Sequence, residues 1–308
     1  MTDERKLLPY IDCTVIGDAM IDVVLPLSDA QDITSLAEGG VTNTKRKLFS
    51  GGAANIAYHV MKLGGNSAFI GRVGDDYFGR LFLDDLERNG IVTNVAIDAS
   101  ANTGMVFALV FPNGQRFFID DRGANTNLQY NDIDLSLVKR SRFLCFLGYS
   151  YQDEGFSGYI EKILDETPDD MTVVFNPGAP NLAEKYRTAF TDGIREHVGV
   201  LILNKAEARN LTQCDSESDM IDSLLAIVDT VALTKGEEGS IIATRDEVHE
   251  IKTTTVTPLD TTGAGDAYAA GLIYGLSRNQ GLREAGEYAS RIAGNVVTHF
   301  GVRLENLD

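Results

Sequence analysis

Residues 260–271 read Asp-Thr-Thr-Gly-Ala-Gly-Asp-Ala-Tyr-Ala-Ala-Gly, a turn of small residues that leads into a helix. Gly263, Ala264 and Gly265 allow the backbone to turn tightly and to bring its amides close to a ligand. The helix is predicted to begin near Gly265, and its first N–H groups and positive dipole end attract an anion. The stretch therefore predicts an anion-binding turn after a strand, where open parallel sheets bind their ligands.

Asp266 is unexpected in such a turn, because a carboxylate beside a bound phosphate costs electrostatic energy. Accepting a proton from an attacking hydroxyl would justify it. A structural alternative is an Asp that stabilises the first helical turn by ~0.3–1 kcal/mol, and the residues alone do not decide between the two. A dinucleotide fingerprint is excluded because its third glycine would fall at Tyr268, and no GxxxxGK[ST] sequence is present.

The rest of the chain indicates the fold class. Short apolar runs alternate with helical patterning, which implies a parallel sheet with βαβ crossovers. The runs are 143–147, 173–175, 200–203 and 230–233. Asn113-Gly114, between apolar runs, predicts a β-hairpin. We expect one α/β domain over residues 1–308, with a doubly wound, mostly parallel sheet flanked by helices. Segments near 33–50 and 104–122 are expected to form a small antiparallel β lid.

Composition excludes several classes of function. The chain has 27 basic and 45 acidic residues, a net charge of −18, which repels nucleic acid and anionic membranes. No apolar run approaches the ~20 residues that span a bilayer, and the first ten residues lack a signal-peptide core, so we expect a cytoplasmic protein. Three cysteines and four histidines are scattered without zinc-ligand spacing.

A second motif gives the chain a family resemblance. Gly51-Gly52-Ala53-Ala54-Asn55, followed by Gly64 and Gly74, has the spacing of a glycine-rich signature. Together with residues 260–271, it resembles the ribokinase-like (phosphofructokinase-B type) family of carbohydrate and nucleoside kinases, over residues 12–305. The resemblance implies a ribokinase-like fold and ATP-dependent phosphorylation of a hydroxyl. It also implies Asp266 as catalytic base and Gly263–Asp266 as the anion hole.

The resemblance assigns a substrate pocket to the first half of the chain. Asp22 is similar to the family's carboxylate that grips substrate hydroxyls, although alone it would be interpreted as a turn residue. Gly51, Gly52 and Asn55 are similar to its second substrate-binding patch. Arg122, at the exit of the predicted hairpin, would favour an acidic, phosphorylated or hydroxyl-rich sugar. The alternative is that Arg122 pairs with a neighbouring aspartate, Asp120 or Asp121.

The nucleotide and metal residues follow from the same resemblance. Glu207, in Asn204-Lys205-Ala206-Glu207, is similar to the family's N-x-x-E glutamate, which organises Mg²⁺ and water near the phosphates. Backbone oxygens around Asp260 and Thr262 imply a possible K⁺ site. The implied nucleotide-binding residues are Asn176, Asn204, Thr234, Gly236, Gly239 and Ser290. The turn at 234–239 could instead be a charged surface hairpin, and Ser290 stands where the family often has Asn.

These observations leave three functional hypotheses. The first is an ATP-dependent sugar kinase similar to ribokinase, fructokinase or ketodeoxygluconate kinase. The second is a nucleoside kinase on the same scaffold, for which Met20 and Tyr149 could contribute to a slot for the base. The third is a non-catalytic sugar or nucleotide sensor. The family's lids often pair across a dimer, so a homodimer through apolar lid residues (Phe107, Leu109 and Phe111) is also predicted.

Overall fold

The computed structural model describes residues 10–28, 32–36, 44–113, 115–153, 155–195, 197–253 and 256–303. The strands in this part of the chain are β1 (Ile11–Ile16), β2 (Ala19–Pro26), β3 (Lys47–Gly52), β4 (Ser67–Gly74), β5 (Val92–Asp98), β6 (Gly104–Val110), β7 (Arg116–Asp121), β8 (Ser141–Leu147), β9 (Thr172–Asn176), β10 (Val198–Asn204), β11 (Thr230–Thr234), β12 (Ser240–Ala243) and β13 (Val248–Ile251). The α-helices are α1 (Ile33–Leu36), α2 (Ala54–Lys62), α3 (Tyr77–Arg88), α4 (Leu135–Val138), α5 (Phe156–Asp165), α6 (Pro180–Lys185), α7 (Arg187–Ile194), α8 (Lys205–Thr212), α9 (Glu217–Leu225), α10 (Ala264–Ser277) and α11 (Leu282–Val296).

The main sheet has the order β13-β12-β11-β10-β9-β8-β1-β4-β5. The seven strands from β11 to β5 are parallel, and β12 and β13 continue the sheet as antiparallel strands at one edge. Every residue of β1 is buried, as expected where helices cover both faces of a parallel sheet. The predicted α/β class and the predicted strands β8 to β11 are confirmed.

Helices pack on both faces of this sheet. One face carries a cluster of aromatic rings in which Phe175 lies 4.9 Å from Phe146 and 5.1 Å from Phe190, measured between ring centroids. The opposite face is covered by α2, α3, α10 and α11. Close approach of α10 and α11 depends on Gly271, because a Cβ there would lie 2.8 Å from the Cα of Ala289.

A separate four-stranded sheet, which we call the lid, has the order β3-β2-β6-β7. The outer pairs are antiparallel and the central pair, β2 with β6, is parallel. The predicted segment 104–122 contains β6 and β7, although Gly114 lies outside the described residues. Of the segment 33–50, residues 37–43 also lie outside them, Ile33–Leu36 is a short helix and β3 begins at Lys47. One strand of the central pair, β2, was not predicted from the sequence.

One face of the lid carries a group of apolar side chains. Phe107 is paired with Ile119, and Leu109 with Phe117, so these four side chains share one face. Phe107, Phe117 and Ile119 are exposed. The prediction that Phe111 would be available for pairing is wrong, because it is buried against Leu27.

The fold places the ends of several strands next to the lid. Strands β8, β9, β10 and β11 end at Leu147, Asn176, Asn204 and Thr234, and all four of these residues line one cleft.

Within the described residues, no helix has both the length and the apolar character needed to cross a bilayer.

Candidate active site

A cleft of about 620 Å³ lies between the carboxyl ends of these strands and the lid. It gathers most of the residues that the sequence singled out. The predicted residues that line it are Asp22, Gly52, Asn55, Arg122, Asn176, Asn204, Glu207, Thr234, Thr262, Gly263, Gly265 and Asp266. Residues separated by up to 244 positions therefore meet in one site.

Asp266 lies in the first turn of α10, at the floor of the cleft, and is only partly exposed. Asn55 Nδ2 donates to its Oδ2 at 3.4 Å. Loss of surrounding water raises the pKa of the Asp266 carboxyl to about 6, against the opposing effects of Asn55 and the nearby Arg303. A carboxylate with this pKa is ionised at neutral pH and is a stronger base than an exposed aspartate.

Asp22 projects from β2 and is buried, with 6% of its surface exposed. Burial raises its pKa to about 7, while Arg303, a hydrogen bond from Asn55 and the Gly52 backbone oppose the shift. Gly51 permits this position, because a Cβ there would lie 2.0 Å from Asp22 Oδ2. Thus Gly51 shapes the pocket without lining it.

The predicted anion-binding turn is present at residues 260–265. Gly263 has φ +78°, a left-handed conformation that favours glycine, and directly precedes α10. The first intrahelical bond runs from Ala267 N–H to Gly263 O, so the amides before Ala267 are those of a helix N-terminus, which lack intrahelical partners. A Cβ on Gly265 would meet open space. The turn can therefore present amides to a ligand in the cleft.

Asp260 anchors this turn from below. Its Oδ1 accepts from Thr262 N–H at 2.9 Å and from Thr262 Oγ1 at 2.6 Å, and its Oδ2 accepts from Gly301 N–H at 2.9 Å. The carboxylate is buried and does not line the cleft. The Asp260 side chain therefore holds the turn in place through its hydrogen bonds.

Asn204 and Glu207 form a reciprocal capping box at the start of α8. Asn204 Oδ1 accepts from Glu207 N–H, and Glu207 Oε2 accepts from Asn204 N–H, both at 2.9 Å. Glu207 is buried, which raises its pKa to about 7. The capping box uses only Oε2 of Glu207. Glu207 can therefore cap the helix with Oε2 and contact a ligand in the cleft with Oε1.

The other predicted nucleotide residues divide into two groups. Asn176 and Thr234 line the cleft, and Asn176 Oδ1 also accepts from Gly178 N–H at 2.7 Å. Gly236, Gly239 and Ser290 do not line it. Gly239 packs against β13, since a Cβ there would lie 2.0 Å from Ile251 O. The first group alone therefore reaches the cleft in this structure.

Arg122 lines the cleft but is already paired. It donates two hydrogen bonds to Asp18, at 2.7 and 2.9 Å, and two to Asp153, one of them at 2.8 Å. These carboxylates raise its pKa despite burial. The alternative of a surface pair with Asp120 or Asp121 is wrong, because the partners lie on distant segments that the sequence could not relate to Arg122.

The lid closes one side of the cleft through alternate residues of β7. Arg116, Phe118 and Asp120 line the cleft, as the two-residue period of a strand requires. Arg116 Nη1 donates to Thr262 Oγ1 at 3.2 Å, so the lid touches the anion-binding turn. Sequence reasoning missed this contact, since nothing in the local pattern links residue 116 to residue 262.

Arg303 is a further residue that sequence reasoning missed. Its Nε donates to Asn55 Oδ1 at 3.0 Å, and its side chain is 6% exposed. It follows Gly301-Val302 near the end of the described chain and belongs to no motif. A lone arginine in a terminal segment gave no signal that it would reach α2.

The charge of the cleft is mainly negative. Its lining includes five carboxylates and two arginines. The carboxylates are Asp18, Asp22, Asp120, Glu207 and Asp266, and the arginines are Arg116 and Arg122. Anionic ligands therefore need compensation from backbone amides or a cation.

Comparison with known proteins identifies the family. The family model described as pfkB family carbohydrate kinase matches residues 11–308. This chain belongs to the pfkB family of carbohydrate kinases. Membership confirms the predicted family and the predicted enzyme class, an ATP-dependent carbohydrate kinase.

Individual relatives agree with this membership. A fructokinase from Escherichia coli is 30% identical over 285 residues, covering 85% of this chain and 83% of that protein. Adenosine kinase from Sinorhizobium meliloti has a TM-score of 0.89 at 24% identity, covering 96% of this chain and 97% of that one. Ribokinase from Thermotoga maritima has a TM-score of 0.75 at 23% identity, with 96% and 95% covered. The last two likenesses confirm the predicted ribokinase-like fold.

Proposed function

We propose that this protein transfers the γ-phosphoryl group of ATP to a hydroxyl of an uncharged sugar. The observation that carries the proposal is the placement of Asp266. Its carboxylate lies at the start of α10, directly after the glycine turn, and shares the cleft with Asp22. A base, an anion-binding turn and a hydroxyl-binding carboxylate are the groups that phosphorylation of an alcohol needs.

Each group has a role in the transfer. Asp22 accepts hydrogen bonds from the sugar and orients it. Asp266 accepts the proton of the attacking hydroxyl as that oxygen bonds to the γ-phosphorus and the bond to the ADP oxygen breaks. The N–H groups at the start of α10 stabilise the charge on the transferring group, a contribution of ~10²–10³ in rate for one comparable donor.

Mg²⁺ fits the cleft through a sparse protein site. Among the described residues, no group of three His, Cys, Asp or Glu side chains could hold a metal. Mg²⁺ typically keeps several waters and takes one or two carboxylates together with substrate phosphates. Glu207 is the carboxylate we assign to it, directly or through water, and Mg²⁺ would supply compensation for the phosphate charge. Asn176, Asn204 and Thr234 would lie on the nucleotide side, and K⁺ binding near Asp260 and Thr262 remains a prediction.

The preference for an uncharged substrate follows from the electrostatics of the lid side. Arg122 is the cation that the sequence offered to an acidic sugar, but Asp18 and Asp153 already occupy both edges of its guanidinium. These three residues together carry a net charge of −1. A carboxylate or phosphate on the substrate would be repelled there, whereas sugar hydroxyls can donate to Asp18 and Asp22.

A substrate screen tests this proposal. ADP release would be measured with MgATP and ribose, fructose or 2-keto-3-deoxygluconate, and with adenosine, cytidine or inosine. We expect a neutral sugar to give the largest kcat/KM, at least about tenfold above the acidic sugar, or about 1.4 kcal/mol in transition-state stabilisation. A larger kcat/KM for 2-keto-3-deoxygluconate would contradict the electrostatic argument.

A nucleoside is the second candidate substrate, because the cleft also has an apolar wall. Met20 on β2, Val106 on β6 and Phe118 on β7 line it, together with Leu147 at the end of β8 and Tyr149 after that strand. Such a wall could receive a flat base while Asp22 binds the ribose hydroxyls. A preference of more than about tenfold for any nucleoside in the same screen would establish this candidate instead.

We also propose a homodimer through the outer face of the lid. Phe107 on β6 and Phe117 and Ile119 on the edge strand β7 expose an apolar strip on one face of the lid. Such strips on a water-soluble surface favour association. Sedimentation should give twice the 33.5 kDa chain mass, and Ile119→Lys should restore the monomer. A wild-type monomer at micromolar concentration would contradict the dimer and leave the active site unaffected.

A further inference from the structure

Arg303 occupies an unusual environment beside the cleft. Its Nη1 pairs with Asp85 on α3, its Nε donates to Asn55, and its guanidinium lies 4.3 Å from the centroid of the Tyr58 ring. Its Nη2 is buried and has no hydrogen-bond partner within the described residues. A buried cation with an unpaired donor is costly to folding. Stability alone therefore does not account for the arrangement.

The contact with Asn55 sets the direction of an amide group. Asn55 Oδ1 accepts from Arg303 Nε at 3.0 Å, so Nδ2 is turned toward the carboxylates, where it donates to Asp266 Oδ2 at 3.4 Å. Asn55 also hydrogen bonds to Asp22. The flipped amide would direct Oδ1 at two carboxylates and an NH₂ group at a guanidinium. Arg303 therefore favours the one orientation that serves the site.

The segment that carries Arg303 also touches the anion-binding turn. Gly301 N–H donates to Asp260 Oδ2, and a Cβ on Gly263 would lie 2.9 Å from Val302 Cα. Residues 301–303 thus contact the turn on one side and α2 on the other. This connects the phosphate side of the cleft to the substrate side.

We propose that Arg303 is a positioning residue for phosphoryl transfer: it holds the Asn55 amide toward Asp22 and Asp266 and keeps a positive charge beside both carboxylates. Arg303 does not line the cleft and acts through Asn55 and through its charge. The inference rests on the proposed function, in which Asp266 is the base. The positive charge of Arg303 opposes the effect of burial on the pKa of Asp22 and of Asp266.

The titratable and charged groups around Asp266 come from several elements. Asp22 on β2 and Arg303 interact with it directly through charge. Burial raises the pKa values of Cys145 on β8 and Tyr149 after that strand, and the negative charge of Asp266 raises them further. Arg303 is the cation among these groups. Its removal therefore raises the pKa of Asp266 further.

The first test uses the free enzyme and needs no substrate. Aspartate carboxyls would be labelled with ¹³C, and the Asp266 resonance would be assigned by its loss in Asp266→Asn. In Arg303→Met, which keeps an apolar stem over Tyr58, we expect the Asp266 pKa to rise by about half a unit or more. A folded Arg303→Met protein with an unchanged Asp266 pKa would overturn the proposal.

The matched control is Arg278→Met. Arg278 pairs with Asp12 at 2.8 Å and lies 4.9 Å from the centroid of the Tyr274 ring, so it shares the carboxylate and ring contacts of Arg303. Its side chain is 42% exposed, and it is not among the charges that act on Asp266. The Asp266 pKa should be unchanged in this variant. An equal shift in both variants would mean that loss of any such arginine disturbs the site, and would also overturn the proposal.

The second test separates orientation from charge and does not depend on the folding of Arg303→Met. Arg303→Lys keeps the charge, so near pH 8.5, where Asp266 is ionised, its defect reports orientation. We expect kcat to fall about tenfold or more with the KM for ATP little changed, and the same substitution to cost less than about twofold on an Asn55→Ala background. A kcat for Arg303→Lys within twofold of wild type, or an equal loss on both backgrounds, would overturn the proposal. Asp266→Asn, assayed alongside, distinguishes failure of the Arg303 proposal from failure of the proposed function. Full turnover of Asp266→Asn would contradict the proposed function itself.

Discussion

Asp260 begins the anion-binding turn and Asp266 directly follows it, yet the two carboxylates have different surroundings. Asp260 is buried, and three donors from Thr262 and Gly301 occupy its two oxygens. Asp266 faces the cleft, and Asn55 contacts it at 3.4 Å. The number of donors committed to a carboxylate thus separates one that holds the backbone from one that remains available to a substrate.

The largest effect is expected from Asp266→Asn on turnover. Because Asn cannot accept the hydroxyl proton, kcat should fall by ~10²–10⁴, the usual contribution of a general base. Steady-state ADP release with the best sugar from the screen measures this. Asp12→Asn, a buried aspartate outside the cleft lining, is the control and should keep its turnover. Turnover of Asp266→Asn within threefold of wild type would remove the distinction between the two turn carboxylates.

Asp22 is intermediate between Asp260 and Asp266, because protein donors occupy only part of its hydrogen-bonding capacity. Asn55 and the Gly52 backbone already donate to it, and we assign its remaining capacity to the sugar. Asp22→Asn should therefore lower kcat/KM for the sugar by roughly 10²-fold, because a buried hydrogen-bonding site that loses its partner discriminates strongly. The KM for ATP should change little. An equal increase in the KM for the sugar and the KM for ATP would indicate a general collapse of the cleft rather than the loss of a substrate contact.

The two turn aspartates should have opposite effects on the free energy of unfolding. At pH 7.5, Asp260→Asn should lower it by roughly 1.5–3 kcal/mol, since its new NH₂ group faces the Gly301 N–H. Asp266→Asn should raise it by roughly 1–3 kcal/mol, because an ionised Asp266 destabilises the folded state. Urea unfolding of both variants measures these changes.

The pH dependence of the free energy of unfolding tests independently whether ionised Asp266 destabilises the folded protein. The folded pKa of Asp266 is about 6, above the ordinary value of 3.8, so the folded protein holds this proton more tightly than the unfolded chain. The destabilisation is absent below pH ~4 and complete above pH ~6. The stabilisation by Asp266→Asn should therefore disappear as the pH falls from 7.5 to 4. A stabilisation that is independent of pH would contradict a raised pKa.

The smallest effect is expected at Glu207, which caps a helix with one oxygen. Glu207→Gln can still accept from Asn204 N–H, so α8 should be retained while the negative charge is lost. The Mg²⁺ concentration for half-maximal rate should rise roughly tenfold, as for other groups that organise a metal. Glu247→Gln, on the exposed surface, is the control. A Mg²⁺ titration that overlays the wild type would show that Glu207 serves the helix alone.

The sequence predicted the parts of the site that depend on local chemistry. The turn at Gly263 needs small residues in a particular conformation, and such a need is visible in a sequence. The glycines before α2 and the N-x-x-E residues were assigned from the family resemblance, and the structure adds that Asn204 and Glu207 form a capping box. The parallel strands were visible as apolar runs because both of their faces are buried.

The contacts that the sequence could not predict join distant segments. β2 was missed because its first six residues are all buried, so it lacks the alternation of a half-exposed strand, and Asp22 interrupts its apolar run. Arg122 finds Asp18 and Asp153 at separations of 104 and 31 residues. Arg303 finds Asn55 across 248 residues. Such pairings depend on topology, which no local pattern contains.

The most direct test of Asp266 as the catalytic base is a single-turnover measurement of phosphoryl transfer. Wild type, Asp266→Asn and Asp260→Asn, each in excess over ATP, would be mixed with Mg²⁺ and the sugar, and phosphosugar would be quantified over time. We predict that Asp266→Asn slows the chemical step by ~10² or more while its ATP affinity stays within about threefold of wild type. We also predict that folded Asp260→Asn retains a faster chemical step than Asp266→Asn. A chemical step in Asp266→Asn as fast as in wild type would contradict the role of Asp266 as the catalytic base.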